Sequence, residues 1–75
     1  MPPLPVLSGR EVVAAFQRDG WRVARQVGSH VVLTKADNPA TLSVPAHEEV
    51  KRGTLRGLIR KAGLTVEEFV ELART

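Results

Sequence analysis

Two residues in the middle of the chain, Gly28-Ser29, constrain its fold more than any others. Before them, in residues 21–27, Trp21, Val23 and Val27 share one parity, and Arg22, Ala24 and Gln26 share the other. After them comes the apolar run His30-Val31-Val32-Leu33-Thr34. Alternation with a period of two is the pattern of a strand with one buried face. Glycine at the first centre of a two-residue loop provides the positive φ of a type II′ turn. The two runs therefore predict a tight antiparallel hairpin, with His30 at its mouth as the first residue of the returning strand, near the sheet's edge. Arg25 falls on the apolar parity, which places it near the end or edge of its strand.

The elements around this hairpin can be read from local signals. Three prolines in the first five residues exclude a regular helix there, so residues 1–7 read as an extended arm and residues 8–75 as a single domain. Ser8 with Glu11 three residues on has the capping-box spacing, and Val12, Val13 and Phe16 then recur at helical intervals. Gly20 fits a stop, giving a helix over about residues 9–19. Ala36-Asp37-Asn38-Pro39 reads as a turn, residues 41–44 as a short third strand with Leu42 and Val44 on one face, and Pro45 as its end. Thr54 can cap a second helix over residues 55–62, packed through Leu55, Leu58, Ile59 and Ala62 and ended by Gly63. Thr65 and Glu68 repeat the capping-box spacing ahead of a short third helix that packs through Val66, Phe69, Val70 and Ala73. The expected fold is α+β: helix, three-stranded antiparallel sheet, helix and a short C-terminal helix. With the helices on one face of the sheet, the other face stays open.

Size and composition narrow the function. Seventy-five residues make one small core, since a chain of this length hides only about 60% of its extended surface on folding. There is no cysteine, hence neither a disulfide framework nor a thiolate metal site. No apolar run approaches the roughly 18 residues that span a bilayer. The proline-broken start is not that of a signal peptide, so no membrane role and a cytoplasmic location are expected. The net charge is +3 and unevenly distributed. Arg18, Arg22, Arg25 and Lys35 face one acid within residues 18–35, and Lys51, Arg52, Arg56, Arg60 and Lys61 dominate residues 47–61, whereas the last segment is acidic. Segregated positive charge is what nucleic-acid binding requires, although an ordinary solvated surface on a basic protein has the same composition.

Few residues can carry chemistry. There is no HExxH, no glycine-rich phosphate loop and no short metal-ligand motif, so no metal or other cofactor is expected. The two histidines are His30 and His47. An imidazole titrates near neutrality. His30 can thus deprotonate a ribose 2′-hydroxyl or protonate a departing 5′-oxygen while nearby arginine or lysine stabilises the phosphate. It can equally serve the hairpin backbone alone. His47 can assist, bind phosphate or sit in a surface loop. Arg52, Arg56 and Arg60, spaced by four, form one basic stripe if the helix starts early enough. That stripe suits a phosphate track, a solubilising helix face, or a docking face for an acidic protein. Trp21, Phe16 and Phe69 read as core, so a base-stacking platform is not indicated.

An ordered set of motifs spans nearly the whole chain: Ser8-Gly9-Arg10-Glu11-Val12, Asp19-Gly20-Trp21, Arg25-Gln26-Val27-Gly28-Ser29-His30, Val44-Pro45-Ala46-His47, Lys51-Arg52-Gly53-Thr54-Leu55-Arg56 and Ile59-Arg60-Lys61-Ala62-Gly63-Leu64-Thr65. In this order they resemble the HicA family of small toxins, mRNA interferases paired with HicB-type antitoxins. The resemblance implies a double-stranded-RNA-binding-domain-like fold, a toxin of a toxin–antitoxin system, metal-independent mRNA cleavage by a single histidine falling on His30, and an antitoxin that covers that region. His47 matches a recurrent family residue and is a candidate auxiliary group. Arg22, Arg25, Lys35, Lys51, Arg52, Arg56 and Arg60 are the candidate RNA contacts, with Gly28 and Ser29 setting the hairpin geometry. Many members carry a further histidine or a methionine soon after Gly-Ser-His; Val31-Val32-Leu33-Thr34-Lys35 has neither. Two other readings fit the same charge: a non-catalytic RNA-binding module, and an interaction protein that docks an acidic partner. Nothing in the pattern decides whether the chain forms a homodimer.

Overall fold

The computed structural model describes residues 4–75, so the first three residues of the expected arm lie outside it. The order is α1 (Gly9–Arg18), β1 (Arg22–Val27), β2 (His30–Lys35), β3 (Asn38–Pro45), α2 (Arg52–Lys61) and α3 (Val66–Arg74). The strands form one antiparallel sheet in the order β1-β2-β3. This is the α+β architecture expected from the sequence.

Both predicted capping boxes are present. Ser8 Oγ accepts from Glu11 N–H at 3.2 Å, and the Ser8 N–H donates to Glu11 Oε1 at 2.9 Å. The second bond lowers the Glu11 carboxyl below its ordinary 4.5, because the Ser8 backbone N–H, followed by the Ser8 side chain, favours the charged form. Thr65 and Glu68 repeat the geometry at α3. Each box satisfies backbone donors that a helix start leaves unpaired.

The helices cover one face of the sheet, and the core lies between the layers. Leu33, Leu42 and Val44 come from the sheet; Val12, Ala15, Phe16, Leu55, Ile59 and Phe69 come from the helices. Phe16 is central: its ring centroid lies 5.1 Å from that of Phe69 and 6.4 Å from that of Trp21, the latter edge-on. Such pairs contribute about 0.5–1.5 kcal/mol beyond their burial. The Arg18 guanidinium donates to the Leu72 carbonyl at 2.7 Å, tying the end of α1 to the end of α3. Leu4 and Leu7 are buried in the same core, so the described part of the arm packs on the domain.

Three local expectations are corrected. First, Thr54 does not cap α2. The helix begins at Arg52 after Lys51, with no side-chain cap bond, and its first turn closes through Leu55 N–H to Lys51 O at 2.9 Å. Val50 causes the early start: it is buried, and its N–H donates to Leu7 O at 2.8 Å, which anchors the chain immediately before the helix. Second, β3 runs from Asn38 and not from residue 41, because Ala36 and Asp37 alone make the turn and Asn38 pairs with Lys35. Pro39 is tolerated because β3 is an edge strand.

Third, β1 does not keep a single parity. Val23 pairs with Leu33, yet Arg25 pairs with Val32, so the register slips by one residue at Ala24. Such a bulge reverses the side-chain alternation beyond it. Val23 stays on the helix-side face with Leu33, whereas Arg25 and Val27 turn to the open face with Val32 and His30. Every residue of β1 is exposed, Val23 and Val27 included.

Candidate functional site

The hairpin forms as predicted. Val27 pairs with His30 across Gly28 and Ser29; Gly28 has φ +58, and among the described residues no non-glycine has positive φ. This is the pattern a II′ turn demands. The Gln26 side-chain amide donates to Gly28 O at 3.2 Å and braces the loop.

His30 is the first residue of β2, the central strand, so it is not at the sheet's lateral edge; it stands at the strand's end, between Val27 and Pro45. Its parity, shared with Val32 and Thr34, is opposite to that of the core residue Leu33, so the imidazole is on the open face. It is exposed, and none of the side-chain hydrogen bonds among the described residues engages it. The bulge brings Arg25 onto the same face, diagonal to His30, since Arg25 is two residues before Val27. Diagonal neighbours lie about 7–8 Å apart, within reach of a long side chain. Arg22, paired with Thr34, and Ser43, paired with Val32, complete this face.

His47 lies elsewhere. It follows β3, and its carbonyl accepts from Gly9 N–H at 2.8 Å, so the loop is pinned to the start of α1. Gly9 permits the approach: a Cβ there would enter the Pro45 carbonyl oxygen and lie 3.0 Å from Ala46 Cα. His47 lines an open groove of about 680 Å³ between α1 and the sheet, together with Arg10, Val13, Ala14, Val23, Gln26 and Val31. The structure therefore puts His47 on the helix side and His30 on the open face, with no hydrogen bond between them. Sequence reasoning missed the groove and Arg10's place in it, because both depend on how α1 lies over β1.

The other candidates divide into two groups. Arg52, Arg56 and Arg60 occupy successive turns of α2 and are exposed, forming the stripe that the early helix start allows. Lys51 immediately precedes them, and the loop that carries it leaves β3 at Pro45, the partner of His30. Lys35 is already engaged: its ammonium lies 3.3 Å from Asp19 Oδ2, with both side chains largely covered. Among the described residues, no three His, Cys, Asp or Glu side chains are grouped to hold a metal ion, and no helix is long and apolar enough to cross a membrane.

A small α+β domain with its helices on one face and an exposed histidine at a hairpin mouth on the other defines a class of compact basic proteins. The model for the HicA toxin of bacterial toxin–antitoxin systems matches residues 9–64, most of the chain, and the protein belongs to that family. Among solved structures, it is similar to a chain of a toxin–antitoxin complex from Streptococcus pneumoniae, with 28% identity and a TM-score of 0.68, covering 83% of this chain and all of the other. No curated protein matches it.

Proposed function

We propose that this toxin is an endoribonuclease that cleaves mRNA in the cytoplasm with His30 as its catalytic residue, and that a HicB-type antitoxin restrains it. The observation that carries the reading is the exposed, unengaged His30 imidazole at the end of the central strand, with Arg25 on the same face. His30 takes the proton of a ribose 2′-hydroxyl. The 2′-oxygen attacks the adjacent phosphorus, the bond to the 5′-oxygen breaks, and that oxygen leaves with a proton from solvent or from an imidazolium. The products are a 2′,3′-cyclic phosphate and a 5′-hydroxyl. Arg25 and Arg22 stabilise charge on the phosphate oxygens, and Lys51 with the α2 stripe holds the flanking backbone. The substrate provides its own nucleophile, so the route needs no metal, and DNA, lacking the 2′-hydroxyl, is not cleaved. His47 belongs to the groove on the α1 side and takes no part in the proton transfer.

The test compares wild type with His30→Ala for cleavage and binding of one unstructured RNA, with chelator present. Retained binding with cleavage lost supports the reading. Equal cleavage by the variant, or none by wild type under these conditions, refutes it, and the second outcome leaves a non-catalytic RNA-binding module.

A further inference from the structure

The β1 edge has no strand beside it among the described residues, and no proline closes it; the guards it has are the bulge at Ala24 and the charges of Arg22 and Arg25. The other edge, β3, has Pro39 and Pro45 near its ends; β1 has no proline and exposes Val23 by 47% and Val27 by 58%. An open edge offers backbone donors and acceptors to an incoming strand. The groove walled by Val13 and Ala14 of α1 and by Val23 and Val31 of the sheet runs along this edge on the helix side. On the open side stand Arg22 and Arg25. A strand laid along β1 sends alternate side chains to the two faces. One set would hang over the groove, where Val13, Ala14, Val23 and Val31 stand beside Arg10, Gln26 and His47, and the other would stand beside two guanidiniums.

These features select the occupant. A second copy of the chain fits poorly: β1 contains no carboxylate, so pairing two copies would gather four arginines on one ribbon with nothing to neutralise them. A strand that alternates apolar and acidic residues satisfies both faces.

We propose that the outer edge of β1 is the docking site for an extended segment of a partner protein, alternating apolar and acidic residues, that joins the sheet as a fourth strand. The proposal rests on the restraining partner of the preceding section but not on catalysis by His30. It gives that partner a recognition chemistry: apolar side chains against Val13, Val23 and Val31, carboxylates against Arg22 and Arg25, and main-chain bonds between them.

The probe is a capped ten-residue peptide alternating valine and glutamate, titrated into the full isotope-labelled chain without RNA, so the outcome is independent of cleavage. Amide shifts and slowed hydrogen exchange are expected along residues 22–27, with shifts at Val13 and Ala14. Of two peptides N-methylated on alternate residues in the two registers, one should lose binding, a result that side-chain charge alone cannot produce. The double variant Arg22→Glu/Arg25→Glu should bind roughly tenfold more weakly and should prefer a valine–lysine peptide. The proposal is overturned if the shifts centre on α2, if both N-methylated peptides bind like the parent, or if β1 amides do not move at millimolar peptide.

Discussion

Replacing Gly9 with alanine adds a single methyl group, yet its cost can be worked out from the structure. The new Cβ would enter the Pro45 carbonyl oxygen and lie 3.0 Å from Ala46 Cα and 3.1 Å from Pro45 C. All three are backbone atoms, so no side chain can swing aside; α1 must draw back from the end of β3. Overpacking of this kind costs about 1–3 kcal/mol. The retreat also stretches the 2.8 Å bond from Gly9 N–H to His47 O, a loss of roughly 1 kcal/mol. Alanine's better helix propensity offsets at most about 1 kcal/mol. With the full offset the net expectation is a destabilisation of about 1–3 kcal/mol, which lowers the melting temperature by roughly 4–24 °C in a domain of this size. Gly53 and Gly57 are the controls. Both lie inside α2 without positive φ, and an added Cβ would meet nothing within 4 Å. Gly53→Ala and Gly57→Ala should each stabilise by about 0.5–1 kcal/mol. Thermal and urea unfolding followed by far-ultraviolet circular dichroism reads all three, with unchanged urea slopes confirming comparable unfolding. If Gly9→Ala melts at or above wild type, the close approach of α1 to β3 is wrong.

Other perturbations follow from the same contacts. Phe69→Ala removes the fully buried ring that packs on Phe16 and should cost about 3–5 kcal/mol, enough for urea unfolding to show most of the domain's stability gone. Ser8→Ala should cost about 1 kcal/mol in the same assay through loss of the α1 cap. The Glu11 carboxyl is lowered from 4.5 by the Ser8 backbone N–H, so its contribution is full above that value and lost as pH falls through the lowered one. Glu11→Gln should therefore lose less stability than wild type between neutral and acid pH, and an equal loss would contradict the assignment. Replacing Arg52, Arg56 and Arg60 together with glutamine should reduce the salt dependence of single-stranded RNA binding by a slope of about 2, measured by titration at several salt concentrations. An unchanged slope would remove α2 from the RNA track.

The features legible in the sequence were those whose causes are local. Ser8 and Glu11, Thr65 and Glu68, and Gly28 act within three residues of themselves, and each formed the cap or turn that its spacing predicts. The apolar positions Phe16, Leu33, Leu42, Leu55, Ile59 and Phe69 all reached the core. His30 fell at the hairpin mouth because a two-residue loop leaves no other place for it.

What depended on distant contacts was not legible. Val50's bond to Leu7 sets the start of α2, and with it the continuity of the arginine stripe. The bulge at Ala24 has no glycine or proline to signal it, so Arg25 reads as an interruption of the apolar parity when it in fact turns to the face of His30. Gly9 looks like an ordinary member of a capping box until β3 is seen against it. The sequence alone determined which elements form and which residues make the core, because caps, turns and periodicity act through neighbours along the chain. Only the tertiary structure decided that His30 and Arg25 share the open face while His47 lies across the sheet with α1. The face a side chain takes depends on strand register, and register is settled by pairing between segments that are distant in sequence.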